Sequence, residues 1–340
     1  MSERARRPTV KEVAVRAGVS PMTVSRTLSG GLNVKPDVQQ RVMEAVAELG
    51  YHRNENARSI RPGHSSGLIG VAITNIANPY YSTFALGVEE EAALTGRRIL
   101  LGNTSEDAAR EADLVGDFLG RRVDGLIVVP AGTTSAHLAH SQSQGVPVVL
   151  ASRRIDGLAA DSVVLADDDG AYRGTSSLLD RGHTRIGYLG NALSIFTGGR
   201  RYAGFVRALE ERGVTVDPQL IATNQQTVDQ ARQATRTLLV AEHPPTAIFC
   251  ANNRNAIGAL KEISAQLGEG TRTPADFPEI VSFDDFELAE LSPVPISVID
   301  HDPRELGRTA ARLLLDRLDG GERETPARAI ELPVSLRGVR

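Results

Sequence analysis

The sequence predicts an α/β protein: a small all-α head, then a larger core of two lobes, each built on a doubly wound parallel sheet. Three observations support that prediction. Residues 1 to about 53 carry three short helical patterns with clear start and stop signals. From about residue 67 the texture changes to short apolar runs alternating with amphipathic helical patterns, the signature of right-handed βαβ units and parallel sheets. The runs suit two sheets better than one, and 340 residues can build more than one core.

Composition fits a soluble globular chain, 41% hydrophobic and 24% charged. No apolar run approaches the ~20 residues that span a bilayer. The charged start, Met1 to Arg7, leads into no apolar segment of the kind an export signal needs. A cytoplasmic protein without a membrane partner is therefore expected. The single cysteine, Cys250, lies in the apolar run 247–251, where a buried strand thiol is expected and no internal disulfide can form. Net charge is −4 but uneven: residues 1–65 hold 11 Lys+Arg against 6 Asp+Glu, and the remainder holds 27 against 36. A basic head on an acidic body predicts that the head alone meets a polyanion.

In the head, Thr9 and Glu12 have the spacing of a capping box. Val10, Val13, Ala14 and Ala17 then form one helical face, and Gly18 supplies the stop. Ser20-Pro21, an N-cap followed by proline at the first helical position, opens a second helix. Its Val24 and Leu28 face inward, leaving Met22, Ser25, Arg26 and Ser29 outward, and Gly30-Gly31 breaks it. A third helix is expected over about 36–49, with Val38, Val42, Ala45, Val46 and Leu49 on one stripe and Gly50 at its end. Two short helices joined by a Gly-Val-Ser turn, followed by a third, make a helix-turn-helix unit. Any small three-helix bundle would show similar capping. The polar, basic outer face of the second helix favours DNA binding.

Residues 54–63 read as a short, weak helix with Asn54 as N-cap and Pro62-Gly63 as stop. Two turns are marginal in water, and Ile60, flanked by Arg58 and Arg61, is the one sizeable apolar side chain. Alone, the stretch reads equally as a solvated linker or as a segment that folds against a partner.

The run from Thr9 to Gly30 closely resembles the signature of the LacI (lac repressor) family of bacterial transcriptional regulators. Asn33-Val34 and Glu48 to Tyr51 match its continuation, and Ala57 to Ile60 match its hinge helix. The resemblance implies a DNA-binding head over 1–53, a hinge and linker over 54–66, and an effector-binding, dimerising core over 67–340. It further implies that the second helix enters the major groove, with Pro21, Met22 and Arg26 as base readers. Arg26 suits guanine, offering two donors to O6 and N7. Pro21 and Met22 differ from the polar pair of many members and point to apolar contact with a thymine methyl. Thr23, Ser25 and Asn33 suit phosphate positioning, where contacts set register, and Thr9, Ser20 and Tyr51 complete the expected DNA-binding set. In the hinge, Asn54, Ala57, Arg58, Ile60 and Arg61 are expected at the minor groove, with Ile60 as a wedge.

The core follows in order. Strands are expected over 68–74, 99–103, 125–129, 147–151, 163–166, 186–189, 247–250, 280–283 and 296–299, with helical patterns over 84–94, 108–119, 202–212 and 229–239. The stretches at Ile76 to Tyr81, Gly182 to Ile186, Arg201 to Phe205, Ser282 to Asp285 and Glu305 to Arg308 resemble the family's core, which is similar to periplasmic sugar-binding proteins. That implies interleaved lobes, one of about 67–165 with 297–324, the other of 166–296 with 325–340, and a ligand cleft between them. By family position the effector residues are Asn78, Tyr80, Tyr81, Arg153, Arg201, Asn253, Asp284 and His301. Asn252-Asn253 stands in place of a common Asn-Asp pair, and His301 where many members carry Gln. Tyr rings could stack on a sugar or base, and the arginines could grip oxygens in pairs. A Tyr pair packed between helices and an Asp284 that caps a helix are the plainer alternatives.

Catalytic signals are weak. Gly63 to Gly67 has the spacing of a nucleophile elbow, but a helix precedes it and a strand follows, the reverse of what that chemistry needs. Asp167-Asp168-Asp169 reads as a turn after a strand, and His137 with His140 as a solvated helix without a third metal ligand. No Walker A loop occurs. The sequence thus predicts a non-enzymatic, sequence-specific transcriptional regulator of the repressor kind, with no cofactor. Its expected partners are a pseudo-palindromic double-stranded operator, a sugar-like or nucleoside-like effector and a second copy of itself, a tetramer being left open. A solute-binding protein would share the core but not the head, and a sugar- or nucleoside-processing enzyme would need a base or nucleophile in the cleft.

Overall fold

The computed structural model describes residues 8–28, 30, 33–51, 65–287, 289–320 and 325–338. The chain divides into two compact units, Met1–Ser66 and Gly67–Arg340.

In the first unit, α1 spans Val10–Ala17, α2 Pro21–Leu28 and α3 Pro36–Leu49. The capping box forms: the Thr9 hydroxyl accepts from the Glu12 amide at 3.4 Å, and the Glu12 carboxylate accepts from the Thr9 amide at 2.6 Å. Gly18 ends α1 in the left-handed region, at φ 66°, and donates to the carbonyls of Ala14 and Val15. The Ser20 hydroxyl starts α2 by accepting from the Thr23 amide at 3.1 Å. Val13, Ala14, Ala17, Val24, Val42 and Ala45 are buried together, the apolar faces that the spacing predicted. The hinge stretch, with Asn54, Ala57, Arg58, Ile60 and Arg61, lies outside the described residues.

The second unit holds two six-stranded sheets. The first has the order β11-β5-β4-β3-β1-β2, where β1 is Leu68–Ile73, β2 Arg98–Asn103, β3 Gly125–Val128, β4 Val148–Ala151, β5 Asp161–Leu165 and β11 Ala329–Leu332. The second has the order β12-β10-β9-β8-β6-β7, from β6 Ile186–Leu189, β7 Ile221–Ala222, β8 Ala247–Cys250, β9 Glu279–Phe283, β10 Ile296–Asp300 and β12 Ser335–Gly338. All neighbours run parallel except β10 and β12. Strands β1, β3, β4, β6 and β8 are buried almost throughout, as parallel strands covered on both faces must be. Cys250 is fully buried on β8, and burial pushes its thiol pKa well up.

Two findings correct the expected lobe boundaries. β10 belongs to the second sheet, in parallel register with β9 (Ile296 opposite Ile280), so the chain crosses back after Asp300 rather than before it. β11 joins the first sheet beside β5, Ala329 opposite Ser162, and only β12 returns to the second. An apolar run identifies a strand but not the neighbour it pairs with. The aspartate run 167–169 is the first turn of a helix, α7, Asp167–Asp180, where acidic residues complement the helix dipole. His137, on α6 (Ala136–Ser143), is not simply solvated, since its Nε2 lies 2.8 Å from buried Glu111.

Helices α4 (Pro79–Leu94) and α11 (Pro303–Asp319) pack together on the first sheet. Their crossing is glycine against backbone. A Cβ on Gly87 would sit 2.0 Å from the Arg304 carbonyl oxygen, and one on Gly307 2.1 Å from that of Phe84. This tight crossing fixes the start of α4, and with it Asn78, Tyr80 and Tyr81.

Candidate functional site

On the head, α2 presents Pro21, Met22 and Arg26 to solvent, with Met22 63% exposed. Thr23 and Ser25 are half-buried beside them, and Asn33 is exposed in the left-handed conformation, at φ 63°. Thr9 and Ser20 are exposed but occupied as helix caps. Tyr51 departs from expectation: it is 8% exposed and packs in the head's apolar cluster. Its ring contributes core area that a head of this size needs. Met22 and Arg26, four residues apart, are both exposed on the same face of α2.

In the second unit the two sheets turn the C-terminal ends of their strands toward a common cleft, the usual ligand position in open α/β sheets. Asn75 follows β1, Glu106 follows β2, Ser152-Arg153 follow β4, Asn191 follows β6, Asn252 follows β8 and Asp284 follows β9. Arg201 reaches in from α8, Phe196–Glu211. Backbone strain gathers here. Ser105, Glu106, Ser152 and Asp284 all hold positive φ, four of the seven such non-glycine residues among those described, and strain of this kind persists only where surrounding structure enforces it.

Arg201 is 6% exposed and stacks 3.6 Å from the centre of the Phe283 ring. Its Nε donates to Asp167 at 2.7 Å and its Nη1 to the Ala251 carbonyl at 2.6 Å. Nη2 faces Asp284 at 3.6 Å, too long for a hydrogen bond but a good span for a ligand hydroxyl that accepts from one group and donates to the other. Asp284 also accepts from His301 Nε2 at 2.9 Å, which fixes the imidazole proton on that nitrogen. Burial would raise the Asp284 pKa, but Arg201 and His301 hold it below the usual range. Asp167 lies deeper, and there burial wins over Arg201 and raises its pKa. Arg153, 4% exposed, forks onto Glu106 with bonds of 2.6 and 2.8 Å. Tyr80 and Tyr81 meet edge to face at 4.9 Å, and the Tyr80 hydroxyl shares a 2.9 Å hydrogen bond with Ser152.

Asn78, Tyr80, Tyr81, Arg153, Arg201 and Asp284 thus line one cavity of about 80 Å³, room for a handful of waters. Asn253 and His301 do not; with Asn78, Tyr80 and Asp284 they border a second, adjoining cavity of about 630 Å³. Between the two, the Asn78 and Asn253 side-chain amides bond reciprocally at 3.3 and 2.9 Å, one from each lobe. Asn252, noted in the sequence beside Asn253, lines the smaller cavity, as do Glu106, Ser152, Asn191 and Arg254, which sequence reasoning missed. Ser152 and Asn191 lie one and two residues beyond the buried strands β4 and β6, whereas Glu106 follows the partly exposed β2 and Arg254 sits in the helix after β8. Among the described residues no cluster of His, Cys, Asp and Glu is arranged to hold a metal, and no helix is long and apolar enough to cross a membrane.

A helix-turn-helix head followed by a two-lobed cleft defines the class of DNA-binding regulators with a periplasmic-binding-protein-like core. Comparison with known proteins bears this out. Residues 9–54 match the model of bacterial regulatory proteins of the lacI family, and residues 175–338 match a periplasmic binding protein-like domain. Catabolite control protein A of Priestia megaterium is 31% identical over 90% of this chain and 91% of its own length. The HTH-type transcriptional repressor PurR of Aliivibrio salmonicida (strain LFI1238) is 31% identical over 91% and 92%. Among solved structures, the lac repressor dimer bound to operator and the anti-inducer ONPF superposes with a TM-score of 0.82 at 27% identity, covering 98% of each chain. The CelR–cellobiose complex gives 0.71 at 27% identity over 97% of this chain and 98% of that one. The chain belongs to the lacI family of bacterial regulatory proteins. Its relatives are transcriptional repressors, and it is a DNA-binding regulator rather than an enzyme.

Proposed function

We propose that this regulator binds a pseudo-palindromic operator as a homodimer and that a small polyhydroxylated effector in the interlobe cleft sets its DNA affinity. The observation that carries the proposal is the facing pair of Arg201 and Asp284, one donor and one acceptor 3.6 Å apart in a buried cleft, in a chain that also carries an exposed DNA-reading helix. The amide- and tyrosine-rich lining supports a sugar-like or nucleoside-like ligand, hydroxyls being the groups that both donate and accept. The lac repressor dimer bound to operator and the CelR–cellobiose complex, both similar in fold, support such a dimer and such a ligand.

Effector changes operator affinity only by binding two arrangements of the core unequally. A coupling of ~1–3 kcal/mol would alter operator affinity roughly 5–150-fold. In the hinge, Ile60 is the proposed wedge at the operator centre, with Arg58 and Arg61 near phosphates. The test is a thermal-shift screen of the purified chain against sugars, polyols and nucleosides, since a ligand of the folded state raises stability by mass action. Hits are then titrated into an operator-binding assay. A ligand that stabilises the chain yet leaves operator affinity unchanged refutes the coupling, and no hit in any class removes the proposed ligand chemistry.

A further inference from the structure

Glu106 is the cleft residue whose placement is most costly and least explained by the fold. It follows Ser105 in a second consecutive left-handed conformation, φ 57° and then 61°, which side chains other than glycine avoid. Helix α5 (Ala108–Gly120) does not require that kink, because its N-cap is Asp107, whose carboxylate accepts from Ala109 and Arg110. The kink turns Glu106 inward instead. Its two carboxylate oxygens fill the fork of Arg153, one nitrogen to each oxygen. The Arg153 side chain is 5% exposed, and Pro130 takes a further bond from Nη1 at 2.7 Å. Its Nε is buried with no hydrogen-bond partner.

A buried guanidinium with a free fork is a strong anion site, because planar paired donors match carboxylate and phosphate geometry. Here the fork is taken. The same holds across the cleft, where Arg201 is met by Asp167 and faces Asp284. Both buried arginines therefore bring their own carboxylates, and an anion entering the Arg153 subsite would meet Glu106 as a like charge while finding no open donor pair there; the half-buried Arg254 on the same cavity wall makes no such ion pair among the described residues. An uncharged polyol meets no such opposition. It can accept from the arginines and donate to the carboxylates without any ion leaving its partner.

Resting on the reading of this cleft as an effector site, we infer that Glu106 is a specificity-determining residue that rejects anionic ligands, phosphorylated sugars included, in favour of uncharged ones. Discrimination then comes from a repulsive element as much as from attractive contacts. Removing the Glu106 charge should convert the Arg153 subsite into an anion site.

The experiment compares full-length wild type, Glu106→Gln and the double variant Glu106→Gln with Arg153→Met by thermal shift. The probes are ribose and glucose, ribose 5-phosphate and glucose 6-phosphate, and inorganic phosphate. Wild type should give no shift with the phosphorylated probes or with inorganic phosphate. Glu106→Gln should bind the anions on the order of tenfold or more tightly than wild type, the scale expected when a like charge is removed from beside a bound charge. The double variant should lose that gain. A folded Glu106→Gln without any anion response overturns the inference, as does a wild type stabilised equally by a sugar and its phosphate. If Glu106→Gln melts without a cooperative transition, rescue by phosphate supports the inference and failure of rescue overturns it. Absence of any response to ribose or glucose in wild type, with the anion gain intact in Glu106→Gln, refutes the sugar reading while leaving Glu106's role standing.

Discussion

Replacing Arg201 with methionine isolates the electrostatic centre of the cleft. Methionine keeps a long apolar stem over Phe283 but removes the guanidinium that bonds Asp167 at 2.7 Å and faces Asp284 at 3.6 Å. Asp167, its side chain at 0% exposure, is then stranded, while Asp284 at 9% keeps His301. Removing one partner of a buried ion pair costs about 3–5 kcal/mol, mostly through the uncompensated charge left behind. Arg201→Met should lower the free energy of unfolding by that amount at neutral pH, measured by urea denaturation followed by circular dichroism. The deficit should also depend on pH. Burial already raises the Asp167 pKa, with Arg201 opposing it; without Arg201 both carboxyls titrate higher in the folded state. A group whose folded pKa is raised contributes stability below its unfolded pKa and loses it as pH rises. The deficit should therefore shrink as pH falls from neutral toward the ordinary carboxylate range. Adding Asp167→Asn should recover a large share of the loss, since a neutral amide needs no counter-charge. A loss under about 1 kcal/mol, far below the usual cost of a stranded buried charge, or one indifferent to pH, would refute this account of the cleft.

Asn253→Ala removes both amide bonds that tie the lobes. At a net ~0.5–1.5 kcal/mol per bond, hydrogen-exchange protection of the cleft segments 75–81 and 252–257 should fall several-fold, and unchanged protection would show that the amide pair does not hold the lobes. Glu262 is 1% exposed, bonded by Arg232 and Arg236, and held at about 2 chiefly by Arg236. Its stabilising effect is present above its ordinary value of 4.5 and lost as pH falls toward about 2; Glu262→Gln should thus be less stable at neutral pH and converge with wild type in acid, whereas a pH-independent gap speaks against the pairing. Met22→Ala should alter base preference at one position per half-site in a selection from random DNA, and an unaltered preference would rule out the thymine-methyl contact.

The head was legible almost residue by residue, because its signals are local: a capping box at Thr9 and Glu12, glycine stops at Gly18 and Gly50, and a 3.6-residue apolar stripe. Tyr51 was the exception, since an aromatic after a helix stop serves surface and core equally well until the fold packs it. In the core the buried strands were evident from apolar runs. The short edge strands β11 and β12, only partly buried, were not, because their identity comes from partners more than 30 residues away in the chain. The same non-local pairing hid the sheet to which β10 belongs. In the cleft, Arg201 and Asp284 were found through family position. Glu106 and Asn191 were not, since a polar residue in a loop carries no mark of its own. Only its place at the end of a strand, in a sheet whose order is known, makes it a site residue.

The lobes are joined by three short crossings, after Leu165, after Asp300 and after Leu332. Chemistry of the cleft sits directly on two of them: Asp167 opens the helix beyond the first, and His301 is the first residue of the second. On the proposed reading, a ligand held by Arg201 and Asp284 would act beside these crossings. Near a pivot, a small displacement is geared into a larger sweep at the far ends of both lobes, and three tethers side by side restrain twisting more than bending. If the proposed effector binds there, its gripping groups stand where the least movement of the ligand would steer the most protein.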